Sequence, residues 1–361
     1  MTKKRSSLTY TDDSTKADPA YRRVRLEDIA VRCGTSLSTV SRALSGDKGV
    51  GQELRRKIQE MARAVRYTPA QEISGSKIVL AASQVAMLDY NRYQFSWYVL
   101  QGLKERAKIL DIEIITHALS EAGTSRLASL MNDPSIGGLL ALTVDDLDIL
   151  NTLVDLNKPA VLVNSEDPLM RLSSVLPCNR SATRLAADYL VQQGHRNILF
   201  LTHPGRRTIE QRLEGWRDSM QHHHLPSDAT QVITVADWLP ELAEQAVMEY
   251  VQQHQMAFSA ILCANDSLAI GAISALNRLG VRVPEDISVM GMNDLPQAEF
   301  TQPALTTVHL PVQEIGVVAL ELLQDMIAGT VQIPRRIELA CSLIKRQSVL
   351  KKTRLSKRSK K

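Results

Sequence analysis

Long apolar runs are missing from this 361-residue chain. The longest, Ile78–Ser83 and Gly137–Leu142, are of strand length and fall far short of the roughly 20 residues that a membrane-spanning helix needs. A soluble protein without a membrane partner is therefore expected. The N-terminus is basic from Met1 to Arg5 but lacks the apolar stretch of a secretory signal, so export is not expected and the cytoplasm is the expected compartment. Cysteine is scarce: Cys33, Cys178, Cys263 and Cys341 lie far apart in the sequence, with neither CxxC nor zinc-ligand spacing, and read as reduced thiols. Also missing are GxSxG, the phosphate-binding GxxxxGK[ST] and HExxH. No catalytic constellation stands out, so neither an enzyme nor a cofactor is expected. His222-His223-His224 has no carboxylate or cysteine partner at ligand spacing and reads as a solvated helix end, leaving no metal site predicted. Asp145, Asp146 and Asp148 lack the glycine and terminal glutamate of a calcium loop and read as a helix N-terminus.

Apolar residues make up 44% of the chain, enough for a sizeable core, and the formal net charge is only +4. The placement of that charge is informative. Residues 1–67 hold 15 Lys and Arg against 8 Asp and Glu, while residues 345–361 hold nine Lys and Arg and no acid, which leaves the middle at −12. An acidic body with basic ends is expected where only the ends approach a polyanion. Residues 1–21 read as a disordered extension. The basic tail, 345–361, reads as an unstructured solubilising extension or a nonspecific phosphate contact.

Three short amphipathic helices are predicted between residues 24 and 66. Leu26, Ile29, Ala30 and Cys33 share one face; Gly34 can take the left-handed conformation that ends a helix, and Ser36 is a good N-cap for the next. In that second helix Val40, Ala43 and Leu44 turn inward. Leu37, Ser38, Ser41 and Arg42 are left outward. The third, about Gln52–Val65, exposes Arg55, Arg56 and Lys57. Two helices about a short glycine-containing turn describe a helix-turn-helix, whose second helix enters the major groove. Arg42 can make a bidentate contact to guanine, Ser38 can donate or accept, and Leu37 can pack on a thymine methyl. The hydroxyls of Thr39 and Ser41 suit phosphate oxygens. Arg25 and Lys48 complete the set of expected DNA-contacting residues.

From Lys77 onward, strand-like segments at 77–83, 112–116, 137–142, 159–163, 198–202, 231–235, 259–263 and 286–291 alternate with helical patterns. That alternation predicts doubly wound parallel sheets in two lobes, with a ligand beyond the carboxyl ends of the strands.

Asp28-Ile29-Ala30, Gly34, Ser36-Leu37-Ser38-Thr39-Val40-Ser41-Arg42-Ala43-Leu44 and Arg66-Tyr67-Thr68-Pro69 resemble the headpiece of the lac-repressor (LacI/GalR) family of bacterial transcriptional regulators. Gly194-His195-Arg196-Asn197-Ile198, Arg212-Leu213-Glu214-Gly215-Trp216, Cys263-Ala264-Asn265-Asp266, Gly280 to Val289 and Pro303-Ala304-Leu305-Thr306-Thr307-Val308 extend the resemblance over roughly 24–345. It implies an α/β protein: a small all-α headpiece at 22–69, a linker at 70–76, and a two-lobed, periplasmic-binding-protein-like ligand-binding and dimerisation domain at 77–344. It also implies a homodimer that binds a double-stranded DNA operator, with Leu37 and Ser38 carrying much of the operator choice. Carried over by position, Arg212, Asn265, Asn293 and Asn164 are cleft residues, Phe95 and Ser96 lie on the segment that closes over the ligand, and Asp89 is a weaker candidate. Asn265 could alternatively serve only to cap a helix, and Arg212 could form a surface salt bridge. Trp216 reads as core.

Two departures from the family pattern matter. Positions 164 and 293, often Asp in sugar-responsive members, are Asn here, which favours a sugar, sugar acid or sugar phosphate with negative charge as the small-molecule effector. The linker Ala70-Gln71-Glu72-Ile73-Ser74-Gly75-Ser76 is too short for the family's full hinge helix, whose leucine wedges into the minor groove, so weaker DNA bending is expected. Two other classes remain: a cytosolic small-molecule-binding protein with a vestigial headpiece, and a nonspecific DNA binder. The exposed basic face around Arg42 argues against the first.

Overall fold

The computed structural model describes residues 26–45, 49–64, 76–83, 90–119, 124–156, 158–254 and 256–352, and divides into two units, Met1–Gln71 and Glu72–Lys361. The expected contacts Arg25, Lys48 and Asp89, and the linker residues 70–75, lie outside the described residues.

The first unit contains α1 (Leu26–Cys33), α2 (Leu37–Ser45) and α3 (Gln52–Ala64). Gly34 sits at φ +65°, in the left-handed region that closes α1, and Thr35 N–H reaches back to the Ala30 carbonyl at 3.0 Å. Ile29, Ala30, Cys33, Val40, Ala43, Ile58 and Ala62 form a small core of their own, which is the inward set that the 3.6-residue periodicity requires.

The second unit has two lobes. The N-terminal lobe is a six-stranded parallel sheet in the order β11-β5-β4-β3-β1-β2, with β1 Lys77–Ser83, β2 Glu113–Leu119, β3 Ile136–Leu142, β4 Ala160–Val163, β5 Ser173–Pro177 and β11 Arg336–Leu339. Its helices are α4 (Tyr90–Ile109), α5 (Thr124–Met131), α6 (Leu147–Val154) and, from late in the chain, α12 (Val312–Ile327). The C-terminal lobe is a four-stranded parallel sheet in the order β7-β6-β8-β9, with β6 Ile198–Thr202, β7 Val232–Thr234, β8 Ala260–Cys263 and β9 Ser288–Met290. Around it lie α7 (Asn179–Gln192), α8 (Arg207–His222), α9 (Pro240–Gln253), α10 (Asp266–Arg278) and α11 (Gln297–Phe300), and an antiparallel pair, β10 (Thr307–His309) with β12 (Ser342–Ile344).

Both faces of each parallel sheet are covered, so the strands read as continuous apolar runs: β4, β5, β6 and β8 are buried throughout. Helices α4 and α12 approach one another at glycines. A Cβ on Gly102 would stand 2.1 Å from the Gln313 carbonyl oxygen, and one on Gly316 would stand 2.2 Å from that of Val99, so larger residues would force the helices apart. The chain crosses between lobes after β5 at Cys178, after β10 at Leu310-Pro311, and after β11 at Ala340-Cys341. Asp146 caps α6, its carboxylate accepting from Asp148 and Ile149 N–H at 2.9 Å, as expected for a helix N-terminus.

The tail departs from expectation. Residues 345–352 are not a free extension but part of the C-terminal lobe: Ser348 is fully buried and donates to the Val289 carbonyl at 2.6 Å, and Lys352 N–H donates to the Gln193 carbonyl at 2.7 Å. Basic composition misled because Lys345, Lys351 and Lys352 stay exposed and Arg346 is paired with Asp294 at 2.8 Å, while the backbone between them fills a groove. Buried His195 anchors this segment, with Nδ1 2.9 Å from Ser259 Oγ and Nε2 3.1 Å from the Leu350 carbonyl. Burial holds its ring well below the ordinary range, at about 4, and so neutral. Because the folded pKa is depressed, the unfolded chain binds more protons between pH 6.5 and 4, and stability is lost as pH falls through that window. The loss is expected to approach about 3 kcal/mol at about 1.36 per pH unit. Urea titrations at pH 7.5 and 4.5 measure it, and His195→Gln should flatten the difference.

Candidate operator interface and effector cleft

In the headpiece, Ser36 caps α2: its Oγ lies 3.2 Å from the Thr39 N–H, 2.9 Å from Ser38 Oγ and 2.8 Å from Thr39 Oγ1. Leu37, Ser38 and Arg42 are exposed, Thr39 and Ser41 half-buried. Leu37, although apolar, is 45% exposed, which is costly in water and useful against a thymine methyl. Arg42 Nε donates to the Ser38 carbonyl at 3.3 Å, which lays the guanidinium along the outer face of α2. Behind it, α3 adds exposed Lys57 and Arg56, the latter 3.7 Å from Glu60. The surface is a polar, basic ridge with one apolar point. Arg42→Ala is expected to weaken operator binding about 10- to 100-fold, since a bidentate base contact contributes about 1–3 kcal/mol. Fluorescence anisotropy on a duplex recovered by selection from a random library reads it.

In the second unit, Phe95, Ser96, Asn164, Arg212, Asn265 and Asn293 all line one cleft between the lobes. Phe95 and Ser96 enter from α4, with Ser96 buried. Asn164 follows β4 and Asn293 follows β9; both take positive φ, 53° and 115°, a conformation that asparagine tolerates better than most residues. Asn265 performs both roles open to it. Its side chain accepts from the Leu268 N–H at 2.8 Å, capping α10, while the residue lines the cleft.

Arg212 is no surface salt bridge. It is 4% exposed on α8, and donates through Nε to Asn179 Oδ1 at 2.8 Å and through Nη1 to the Ala264 carbonyl at 2.5 Å and Asn293 Oδ1 at 3.2 Å. Desolvation lowers its pKa to about 10, so it remains cationic near neutrality. Its hydrogen-bond acceptors among the described residues are neutral oxygens. A buried cation whose acid neighbour Asp266 is pushed toward neutrality by burial favours an anion in the cleft, because a buried charge that is poorly compensated is expensive.

Several cleft residues were not anticipated: Thr143, His203, Arg206, Thr208, Asp237 and Trp238. The sequence did carry a signal for three of them, since Thr143, His203 and Asp237 stand just beyond the carboxyl ends of β3, β6 and β7, where ligands of open parallel sheets bind. Trp238 meets His203 edge-on at 5.0 Å between ring centroids, offering a flat apolar wall. Thr208 is buried, and its hydroxyl has no partner among the described residues.

Consecutive arginines at the start of α8 bridge the lobes. Arg206 Nε meets Asp145 Oδ2 at 2.5 Å, and its Nη2 donates to the Asn164 carbonyl at 2.6 Å. Arg207 lies 3.4 Å from buried Glu166, which also accepts from Gln211 Nε2 at 3.1 Å. Behind Asn265, the Asp266 carboxyl accepts from Thr307 Oγ1 at 2.6 Å and Leu295 N–H at 2.9 Å, and burial pushes its pKa up to about 7. Trp216 is core, stacked on Phe200 at 5.7 Å. His222 ends α8, but His223 is not simply solvated: its Nε2 lies 3.1 Å from Asp188 Oδ1. Among the described residues no cluster of metal-ligating side chains occurs, and no helix is long and apolar enough to cross a membrane.

Two family descriptions match: "Bacterial regulatory proteins, lacI family" over residues 25–70, and "Periplasmic binding protein-like domain" over 187–349. Residues 25–70 thus carry a lacI-family DNA-binding domain, and 187–349 a periplasmic binding protein-like domain. Similar full-length members include the probable HTH-type transcriptional repressor ExuR of Bacillus subtilis (strain 168), 27% identical over 84% of this chain and 92% of that one. The HTH-type transcriptional regulator AscG of Escherichia coli (strain K12) is 29% identical over 80% of this chain and 87% of its own. Among solved structures, a transcriptional regulator CelR–cellobiose complex has a TM-score of 0.68 at 25% identity, covering 90% of this chain and 100% of that one. The lac repressor dimer bound to operator and the anti-inducer ONPF has a TM-score of 0.67 at 24% identity, covering 91% and 100%, a likeness of fold. The lacI-family architecture of helix-turn-helix headpiece and two-lobed sensor thus accounts for both surfaces described above.

Proposed function

We propose that this lacI-family chain is a sequence-specific DNA-binding transcriptional regulator, acting as a repressor, whose affinity for its operator is set by a small carbohydrate-like effector in the interlobe cleft. The observation that carries this reading is the pairing of two surfaces: an α2 ridge of Leu37, Ser38 and Arg42, and a cleft that gathers Phe95, Ser96, Asn164, Arg212, Asn265 and Asn293. Arg25 and Lys48 join the ridge as phosphate contacts in this reading, together with Thr39 and Ser41. Residues 22–69 act as the headpiece and 77–352 as the sensor and dimerisation body, in a cytoplasmic homodimer with no catalytic role. Repressor names among the relatives and the cellobiose bound to CelR support the sign of regulation and the carbohydrate class.

The effector carries a carboxylate or phosphate. Arg206 is matched by Asp145, whereas Arg212 hydrogen-bonds, among the described residues, to neutral oxygens, and the acid that acts on it, Asp266, is itself pushed toward its neutral form by burial, which leaves Arg212 as the natural seat of an anionic group. An effector alters DNA affinity only by binding the DNA-competent and incompetent states unequally.

Selection of bound duplexes from a random library at near-physiological salt, followed by sequencing, tests the regulator reading. A two-fold-symmetric enriched motif is expected, since a dimer presents two headpieces. Absence of any enriched sequence would refute sequence-specific binding, because counterion release alone gives no preference.

A further inference from the structure

Cys178 and Cys341 lie 163 positions apart in the chain, yet the fold places them side by side. Each stands on one of the crossovers between lobes, Cys178 after β5 and Cys341 after β11, which are parallel neighbours with Pro177 opposite Leu339. The Leu339 carbonyl accepts from Cys178 N–H at 3.0 Å and from Cys341 Sγ at 3.6 Å, so the two cysteines gather on one acceptor. Both are partly buried rather than fully enclosed, unlike Cys33 and Cys263. We propose that Cys178 and Cys341 form a peroxide-sensitive dithiol, which oxidises to a disulfide and fastens two of the interlobe crossovers together.

The chemistry favours Cys178 as the attacking sulfur. Its thiol is held well below the ordinary range, at about 6, chiefly by the neighbouring Cys341 thiol, which is itself pushed up and keeps its proton. Such a thiolate is the nucleophile toward peroxide, whereas burial pushes the Cys263 thiol up and keeps it inert. The Cys178 thiolate attacks one peroxide oxygen: an S–O bond forms, the O–O bond breaks, and hydroxide leaves, taking up a proton to become water. The Cys341 sulfur then attacks the sulfenic sulfur. An S–S bond forms, the S–O bond breaks, and a second water departs with the Cys341 proton. Two thiols lose two electrons and hydrogen peroxide is reduced to two waters. Lobe closure needs backbone rotation at the crossovers, and a bond between two of them restricts it.

The test uses the reduced full-length chain treated with hydrogen peroxide, alkylated, denatured and mapped without reductant. Rapid loss of two of the four thiols is expected, with the Cys178 and Cys341 peptides joined, lighter by two hydrogens and released by dithiothreitol. Cys178→Ser and Cys341→Ser should each abolish that crosslink, and the crosslinked protein should show slowed amide exchange around 176–179 and 339–342. Persistence of both thiols while Cys33 is consumed, or overoxidation of Cys178 without a crosslink, would overturn the proposal. Unchanged exchange in the crosslinked form would overturn the fastening of the crossovers.

Discussion

Arg212→Leu is expected to yield a folded protein that still selects its operator but loses effector binding by at least about 30-fold. Removing one partner of a buried, hydrogen-bonded charge pair costs roughly 2–5 kcal/mol, and each 1.4 kcal/mol is tenfold in affinity. The same change strips donors from Asn179 Oδ1, the Ala264 carbonyl and Asn293 Oδ1. Stability should fall as well, by about 1–3 kcal/mol for acceptors left unsatisfied. Calorimetric titration with sugar acids and their neutral parents separates the two effects. Wild type should prefer the acid, and Arg212→Leu should erase the preference. Equal affinity of wild type for acid and neutral forms would remove the anionic assignment while leaving the regulator reading intact.

Trp216→Ala is expected to cost about 3–5 kcal/mol, enough to unfold much of the C-terminal lobe at body temperature. The indole is fully buried on α8, stacked on Phe200 of β6 with an interplanar angle of 22°, so truncation leaves a large cavity between helix and sheet. Trp216→Phe should be far milder than its lost volume suggests. The indole N–H has no hydrogen-bond partner among the described residues, and phenylalanine removes that orphaned donor while keeping most of the ring contact. Urea unfolding of the three proteins should rank wild type and Phe close together and Ala well below. A cost for Phe equal to that for Ala would mean that the N–H is in fact satisfied.

The headpiece was legible from sequence because its signals are local: a turn glycine, a capping serine and apolar residues at helical spacing fix α1 to α3 without reference to the rest of the chain. The expected strands from 77–83 to 286–291 likewise correspond to β1–β4 and β6–β9, and the most central of them, β3, β4, β6 and β8, are largely buried apolar runs. β5, β10, β11 and β12 were not foreseen. β5 begins with two serines, Ser173 and Ser174, whose burial is bought by long-range partners, Arg335 N–H on Ser173 Oγ and on Ser174 N–H the Arg335 carbonyl. β11, Arg336-Ile337-Glu338-Leu339, is a half-exposed edge strand with no turn signal beside it. Such segments become strands only because a distant neighbour offers a ladder, and no window of local sequence contains that neighbour. The cleft followed the same division. Polar residues inside recognisable motifs, Arg212 and Asn265, were found, whereas Arg206 and Trp238 lie outside those motifs and reach the cleft through lobe geometry.

β11 has one more consequence, in time rather than in space. The N-terminal sheet is closed at its edge by a strand that follows β5 by some 160 residues of chain, and α12, which covers that sheet, is also made late. At about 5–20 residues per second of synthesis, roughly 10–30 s separate the appearance of β5 from that of its partner. During that interval the helix-turn-helix is already complete while the sensor lobe still lacks its edge and one covering helix. A nascent chain of this protein can therefore complete its helix-turn-helix before the effector cleft that would modulate it exists.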